Sequence, residues 1–165
     1  MHKNVLIPTD FQIVSLNIIK KVIGDLNEND TVTITLLHGY LLSENITDLL
    51  FYSRKEILNQ IVPPNFIEGC SLLKNKFTSQ VVQINIDLFH GLTKRTFESF
   101  VASNNIQSIY IPIGLNYKRA TKKSYDLIPY ISKCGDNISY VHFENSKDES
   151  LESFSDLFLD NIKFT

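Results

Sequence analysis

The chain has 165 residues, 43% hydrophobic and 21% charged, with sixteen Lys and Arg against eighteen Asp and Glu for a net charge of −2. That length suits one domain with a sizeable core, and the balanced charge excludes a general attraction to nucleic acid or to anionic membrane. No apolar run approaches the ~20 residues of a membrane span, and Met1-His2-Lys3-Asn4 leads straight into a strand, which leaves no room for a signal peptide and points to the cytoplasm.

Val5-Leu6-Ile7 is a short apolar run that stops at Pro8-Thr9-Asp10, the pattern of a strand buried on both faces in a parallel sheet. Pro8 has no N–H for a ladder, so the strand ends near it. Asp10 then falls just past the carboxyl end, where open α/β sheets place their ligands. Ser15 is the expected N-cap of a helix with one apolar stripe, Ile18, Ile19, Val22, Ile23 and Leu26. Residues 31–38, rich in β-branched side chains, form the second strand and end in His38-Gly39. Residues 47–61 read as one helix with Leu50, Ile57, Leu58 and Ile61 on one side; Pro63-Pro64 breaks it, and helix resumes near Asn65. The segment 43–77 is thus a two-piece crossover, with a cover for the cleft or a partner surface as the other readings.

Residues 80–89 alternate at period two and form the third strand, ending in His90-Gly91. Residues 93–104 form a helix carrying Phe97, Phe100 and Val101, stopped at Asn104-Asn105 because Asn tolerates the left-handed conformation. SIYIPI at 108–113 is the fourth strand, closed by Gly114. Residues 115–127 are a polar, basic loop, and a short helix starts at Pro129, with Ile128 biased away from helical dihedrals. ISYVHF at 138–143 is the fifth strand. After a charged linker at 145–150, Leu151, Phe154, Leu157, Phe158 and Ile162 give a final amphipathic helix. Its stripe calls for burial on its own sheet, on a second copy, or over the fifth-strand edge. The division is therefore an α/β domain over 1–144 and a linker with C-terminal helix over 145–165.

Strands alternating with helices imply a parallel sheet with crossovers. Five strands in the order 3-2-1-4-5 make a three-layer α/β sandwich whose winding reverses between the first and fourth strands. Asp10 and Gly114 then face each other across the switch-point cleft.

Asp10 has two readings in that cleft: a ligand-binding carboxylate, or a cap that orders the following turn. His38 and His90 end neighbouring strands, His142 lies on the opposite edge, and no cysteine joins them, so no metal site is expected; such histidines more often bond a nearby loop. G-x-S-x-G is absent, and Ser124 in the basic loop has no evident base, so no catalytic residue is assigned. Cys70 and Cys134 read as small apolar fillers in a reduced chain, with a disulfide between them left open.

KNVLIPTDF, TITLLHG, FHGLTKRTFESFVASNNIQSIYIPIG and the closing ISYVHF together resemble the universal stress protein family, over roughly residues 3–143. The resemblance implies an adenine nucleotide alpha hydrolase-like sandwich of five parallel strands, often dimeric through the fifth. It also implies an aspartate that holds adenosine, and G-x2-G-x9-G-[ST] after the fourth strand in members that bind ATP. Asp10 and Gly114 match that pattern. Tyr117 and Leu127 stand at the second and third glycine positions, Ile128 at the hydroxyl position, and Pro129 follows. Side chains block the close approach of backbone N–H groups to phosphate, Ile128 offers no donor, and Pro129 removes another. Three or four lost donors, at ~1.5–3 kcal/mol for each charge-assisted bond, amount to many decades of affinity.

The leading expectation is therefore a non-enzymatic, universal stress protein-like regulatory or stress-response protein with no cofactor. It would work through protein contacts as a homodimer joined at strand 138–143 and the C-terminal helix. The alternative is a module in which Asp10, Gly39 and Gly114, helped by Lys118 and Arg119, still hold ATP or AMP weakly, or another anionic small molecule. Lys118, Arg119, Lys122 and Lys123 supply the cations for that role; as a solvated basic loop they need no role at all. A slow nucleotide hydrolase is the third reading.

Overall fold

The computed structural model describes residues 1–134 and 137–143. Five parallel strands run in the order β3-β2-β1-β4-β6: β1 His2–Pro8, β2 Thr31–Tyr40, β3 Val81–Phe89, β4 Ser108–Ile113 and β6 Ile138–His142. This is the expected doubly wound order, with β6 as the expected fifth strand. One element is additional: β5, Ser124–Tyr125, pairs antiparallel with the end of β2.

β1 is central and buried on both faces, as its unbroken apolar run implies. Val5 and Ile7 enter one core cluster and Leu6 the other, because successive side chains of a strand point to opposite faces. The first layer packs a 3-10 turn (Ile13–Asn17), α1 (Ile18–Gly24) and α4 (Pro64–Lys76) on the sheet through Leu16, Ile19, Val22, Phe66 and Leu73. The second layer packs α5 (Lys94–Ser103) and α6 (Ile128–Ile131) through Phe97 and Ile131. Asn105 takes φ 50°, so the stop after α5 is the left-handed asparagine.

Three local expectations change. Ser15 is not an N-cap: its hydroxyl, 5% exposed, donates to the Gln12 carbonyl at 2.6 Å inside the 3-10 turn, and α1 begins only at Ile18. The single helix over 47–61 is two, α2 (Ile46–Leu50) and α3 (Arg54–Ile61). Asn45 and Ser53 each accept a backbone N–H at the start of one, and such side chains favour caps over helix interiors. Ile128 enters α6 despite the following proline, its N–H held by Asp126 Oδ1 at 2.9 Å.

Cys70 and Cys134 are free and belong to opposite layers, which closes the disulfide alternative. No helix of the described residues is long and apolar enough to cross a membrane. The linker at 145–150 and the amphipathic helix at 151–162 lie outside the described residues.

Candidate functional site: the switch-point cleft and the loop that fills it

β1 and β4 are adjacent while their connections leave in opposite directions, so the cleft opens beyond Pro8 and Ile113. Asp10 stands at its mouth and is fully engaged by the protein. Its Oδ1 accepts the Gln12 N–H at 3.1 Å, and its Oδ2 accepts the Lys118 N–H at 2.9 Å and the Gln12 side-chain amide. That amide also donates to the Asn116 carbonyl at 2.8 Å. Asp10 therefore orders the following turn and clamps the loop after β4.

The two glycines are likewise used by the chain itself. A Cβ on Gly39 would fall inside contact distance of the Tyr125 carbonyl, so the bare backbone at 39 is what lets β5 pair with β2. Gly114 has φ 92°, and a Cβ there would lie 2.5 Å from the Phe143 carbonyl. It seats the end of β6 against β4. Lys118 reaches the site through its backbone N–H, while the Lys118 and Arg119 residues are solvent-exposed.

Residues 115–127 occupy the space that remains. Leu127 is 2% exposed and packs in the second core cluster with Leu6 and Leu37. The Tyr125 hydroxyl donates to the carbonyls of Gly91 at 2.6 Å and Phe89 at 3.1 Å. The Tyr117 ring lines the cleft; burial above all, then the carboxylates of Asp126 and Asp10, push its phenol up to about 12. The cavity left between Thr9, Asp10, Gly39, Tyr117 and Leu127 holds about 30 Å³. That is about one water, an order of magnitude below the ~300 Å³ at which pockets for drug-sized or nucleotide-sized ligands begin.

Beneath the loop lies a buried contact that the sequence does not announce. His38 is fully buried, with Nδ1 at 2.7 Å from the Thr9 carbonyl and Nε2 at 2.8 Å from Ser124 Oγ. The carbonyl can only accept, so Nδ1 carries the proton and Nε2 takes the Ser124 hydroxyl. Burial holds the imidazole below its ordinary pKa, opposed by the Thr9 carbonyl and the charge of Asp10. Ser124 thus does have a base beside it, contrary to expectation. With Ser124 2% exposed and a main-chain carbonyl as third member, the pair fastens the loop to β2 instead of facing a substrate. The partners are 86 residues apart, so no local motif could mark them. Phe11, also unforeseen, holds φ 67°, uncommon for a bulky residue, and stacks on His38 with ring centroids 4.3 Å apart.

His90 bonds its neighbouring loop in the same manner, with Nδ1 at 2.6 Å from the Tyr40 carbonyl and Nε2 at 2.5 Å from the Tyr52 hydroxyl. Among the described residues no three His, Cys, Asp or Glu side chains converge as a metal site would need.

Fold and site together define a doubly wound parallel α/β domain whose switch-point cleft is filled by its own loop between β4 and α6. No family model and no curated protein matches the chain. Among solved structures it is similar to "hypothetical protein, PH0823", at 17% identity, with 85% of this chain and 96% of that one covered and a TM-score of 0.48.

Proposed function

We propose that this chain is a divergent universal stress protein-like domain of the cytoplasm. In this reading it has given up high-affinity ATP binding and acts non-enzymatically, as a homodimer, through protein contacts in a stress or regulatory role. One observation carries the reading: Tyr117, Tyr125 and Leu127 fill the cleft where the resemblance puts a nucleotide, Asp10 and Gly39 are spent on holding that filling in place, and Gly114 is spent on seating the end of β6. A ligand would have to break the Asp10–Lys118 and Ser124–His38 bonds and the β5 pairing before it could enter. Calorimetric titration with ATP and AMP, with and without magnesium, tests this. No saturable heat is expected, and tight magnesium-dependent binding overturns the reading.

A second reading has its own observation. Lys118, Arg119, Lys122 and Lys123 are all exposed on the outer side of the filling loop, where side chains could hold an anion without entering the cleft. A thermal-shift panel of nucleotides and inorganic phosphates separates the two: a salt-sensitive shift lost on replacing Lys118 and Arg119 by alanine supports anion binding, and a flat panel removes it.

A further inference from the structure

A second cavity, of about 250 Å³, lies beyond the end of β2 and outside the switch-point cleft. The turn between α2 and α3 and the face of α3 form one wall; Tyr40 and Lys123 form the other. The Tyr52 ring in the first wall is held in place. Its hydroxyl donates to His90, which bonds the Tyr40 carbonyl in turn, so the ring stands edge-on to the imidazole at 5.3 Å and 84°. An aromatic wall fixed by hydrogen bonds is preorganised, and a ligand meeting it loses little further freedom in the protein.

The charges of the groove are arranged unusually. Glu56 and Asp48 line it from the helices, and Lys123 lines it from the β5 side, 5.9 Å from the Tyr40 ring centroid. Asp48 accepts the Ser43 hydroxyl at 2.7 Å. Among the described residues, neither Glu56 nor Lys123 is in an ion pair, although both face the same space. Opposite charges that line one groove without meeting suit a guest that carries both. Leu42, Leu49 and Phe51, exposed by 40%, 44% and 79%, add an apolar surface that no described residue covers. The volume falls below the ~300–1,000 Å³ of pockets for larger ligands, which argues against a nucleotide.

We infer that this groove binds a free α-amino acid with an apolar or aromatic side chain. Its ammonium is received by Glu56 and Asp48, its carboxylate by Lys123, and its side chain by Tyr52, Leu49 and Phe51. This site draws on none of Asp10, Gly39, Gly114, Lys118 and Arg119 and shares only Lys123 with the outer basic loop, so a flat nucleotide and phosphate panel leaves it standing, and its own failure leaves the reading of the switch-point cleft standing. The test is calorimetric titration of the full chain with L-leucine and L-phenylalanine, beside N-acetyl-L-leucine and L-leucinamide. Saturable binding of the free amino acids is expected, weakened about tenfold by blocking either end, since each block removes one charge-assisted contact. Glu56→Gln is expected to weaken L-leucine but not N-acetyl-L-leucine, and Lys123→Met to weaken L-leucine but not L-leucinamide. Both positions are exposed, and unchanged melting curves of the two variants verify that the fold is kept. No saturable heat with either free amino acid overturns the inference, as does binding that is indifferent to both blocks or to both variants.

Discussion

His38 shows how one side chain links folding to pH in this protein. Its imidazole is neutral in the folded state because burial disfavours the charged form, so the folded pKa lies below the ordinary 6.5. The unfolded chain takes up the proton first as pH falls. The contribution of His38 is therefore complete above about pH 6.5 and is lost as pH drops toward the folded pKa. Protonation would also force Nε2 to donate, while Ser124 Oγ already receives the Thr121 N–H at 3.1 Å. Urea denaturation between about pH 8 and about pH 5 is expected to show stability falling across that window. A His38→Ala variant should be less stable by about 2–4 kcal/mol at the upper end, from the cavity and from the loss of the acceptor that Nε2 gives the Ser124 hydroxyl, and should show a shallower decline. An equal slope in the variant would place the titrating group elsewhere. Residues of this kind are poorly legible in sequence: His38 is visible as a strand-ending histidine, but its partner lies far along the chain in a loop with no signature.

At the scale of elements, the strands were legible because burial on both faces or alternation at period two leaves a direct mark, as at Val5-Leu6-Ile7 and at Val82-Ile84-Ile86-Leu88, of which Val82 alone, beside an irregularity in the β2–β3 register, is 52% exposed. The crossover between β2 and β3 was less so. Its apolar residues are spaced like one helix, yet Leu50 is 76% exposed and Ser53 starts a new helix, because a serine hydroxyl competes for backbone donors wherever packing does not decide. The loop 115–127 is the instructive case. Through the family resemblance, Tyr117 and Leu127 could be read as standing where a phosphate loop would have glycines; that Tyr117 lines the cleft and Leu127 joins the core could not, since this depends on the loop's contacts with Asp10, Gly39 and Gly91. Asp10→Ala removes the acceptor for Gln12 and Lys118. The expected cost is about 1–2 kcal/mol, small because the contacts are partly solvated. Hydrogen exchange should quicken over 115–125 while amides of β1, β2 and β4 keep their protection. Faster exchange spread evenly over the sheet would show that Asp10 supports the core and not the loop.

For the molecule as a whole, the two edges of the sheet, which no further strand covers among the described residues, decide what association is available. β3 carries its outer edge beside α3, where Arg54 pairs with Asp87 at 2.8 Å, a charged rim that discourages a further strand. β6 carries no Lys, Arg, Asp or Glu: it consists of Ile138, Ser139, Tyr140, Val141 and His142, and Tyr140 is 49% exposed. Among the described residues β6 is paired on one side only, and an edge strand without Lys, Arg, Asp or Glu is a template for a second copy; two copies meeting there by a twofold axis would each close the other's edge. Light scattering over a range of concentrations is expected to show a dimer that dissociates on dilution. Tyr140→Lys puts a charge on each copy at the same place and should shift the protein to monomer without lowering its melting temperature, because Tyr140 is exposed in the single chain. A wild-type monomer at every concentration would remove the edge from consideration. A variant that stays dimeric would move the contact to another surface, the exposed apolar residues Ile46, Leu50 and Phe51 being the next to test, since they crowd one short stretch with no cover among the described residues.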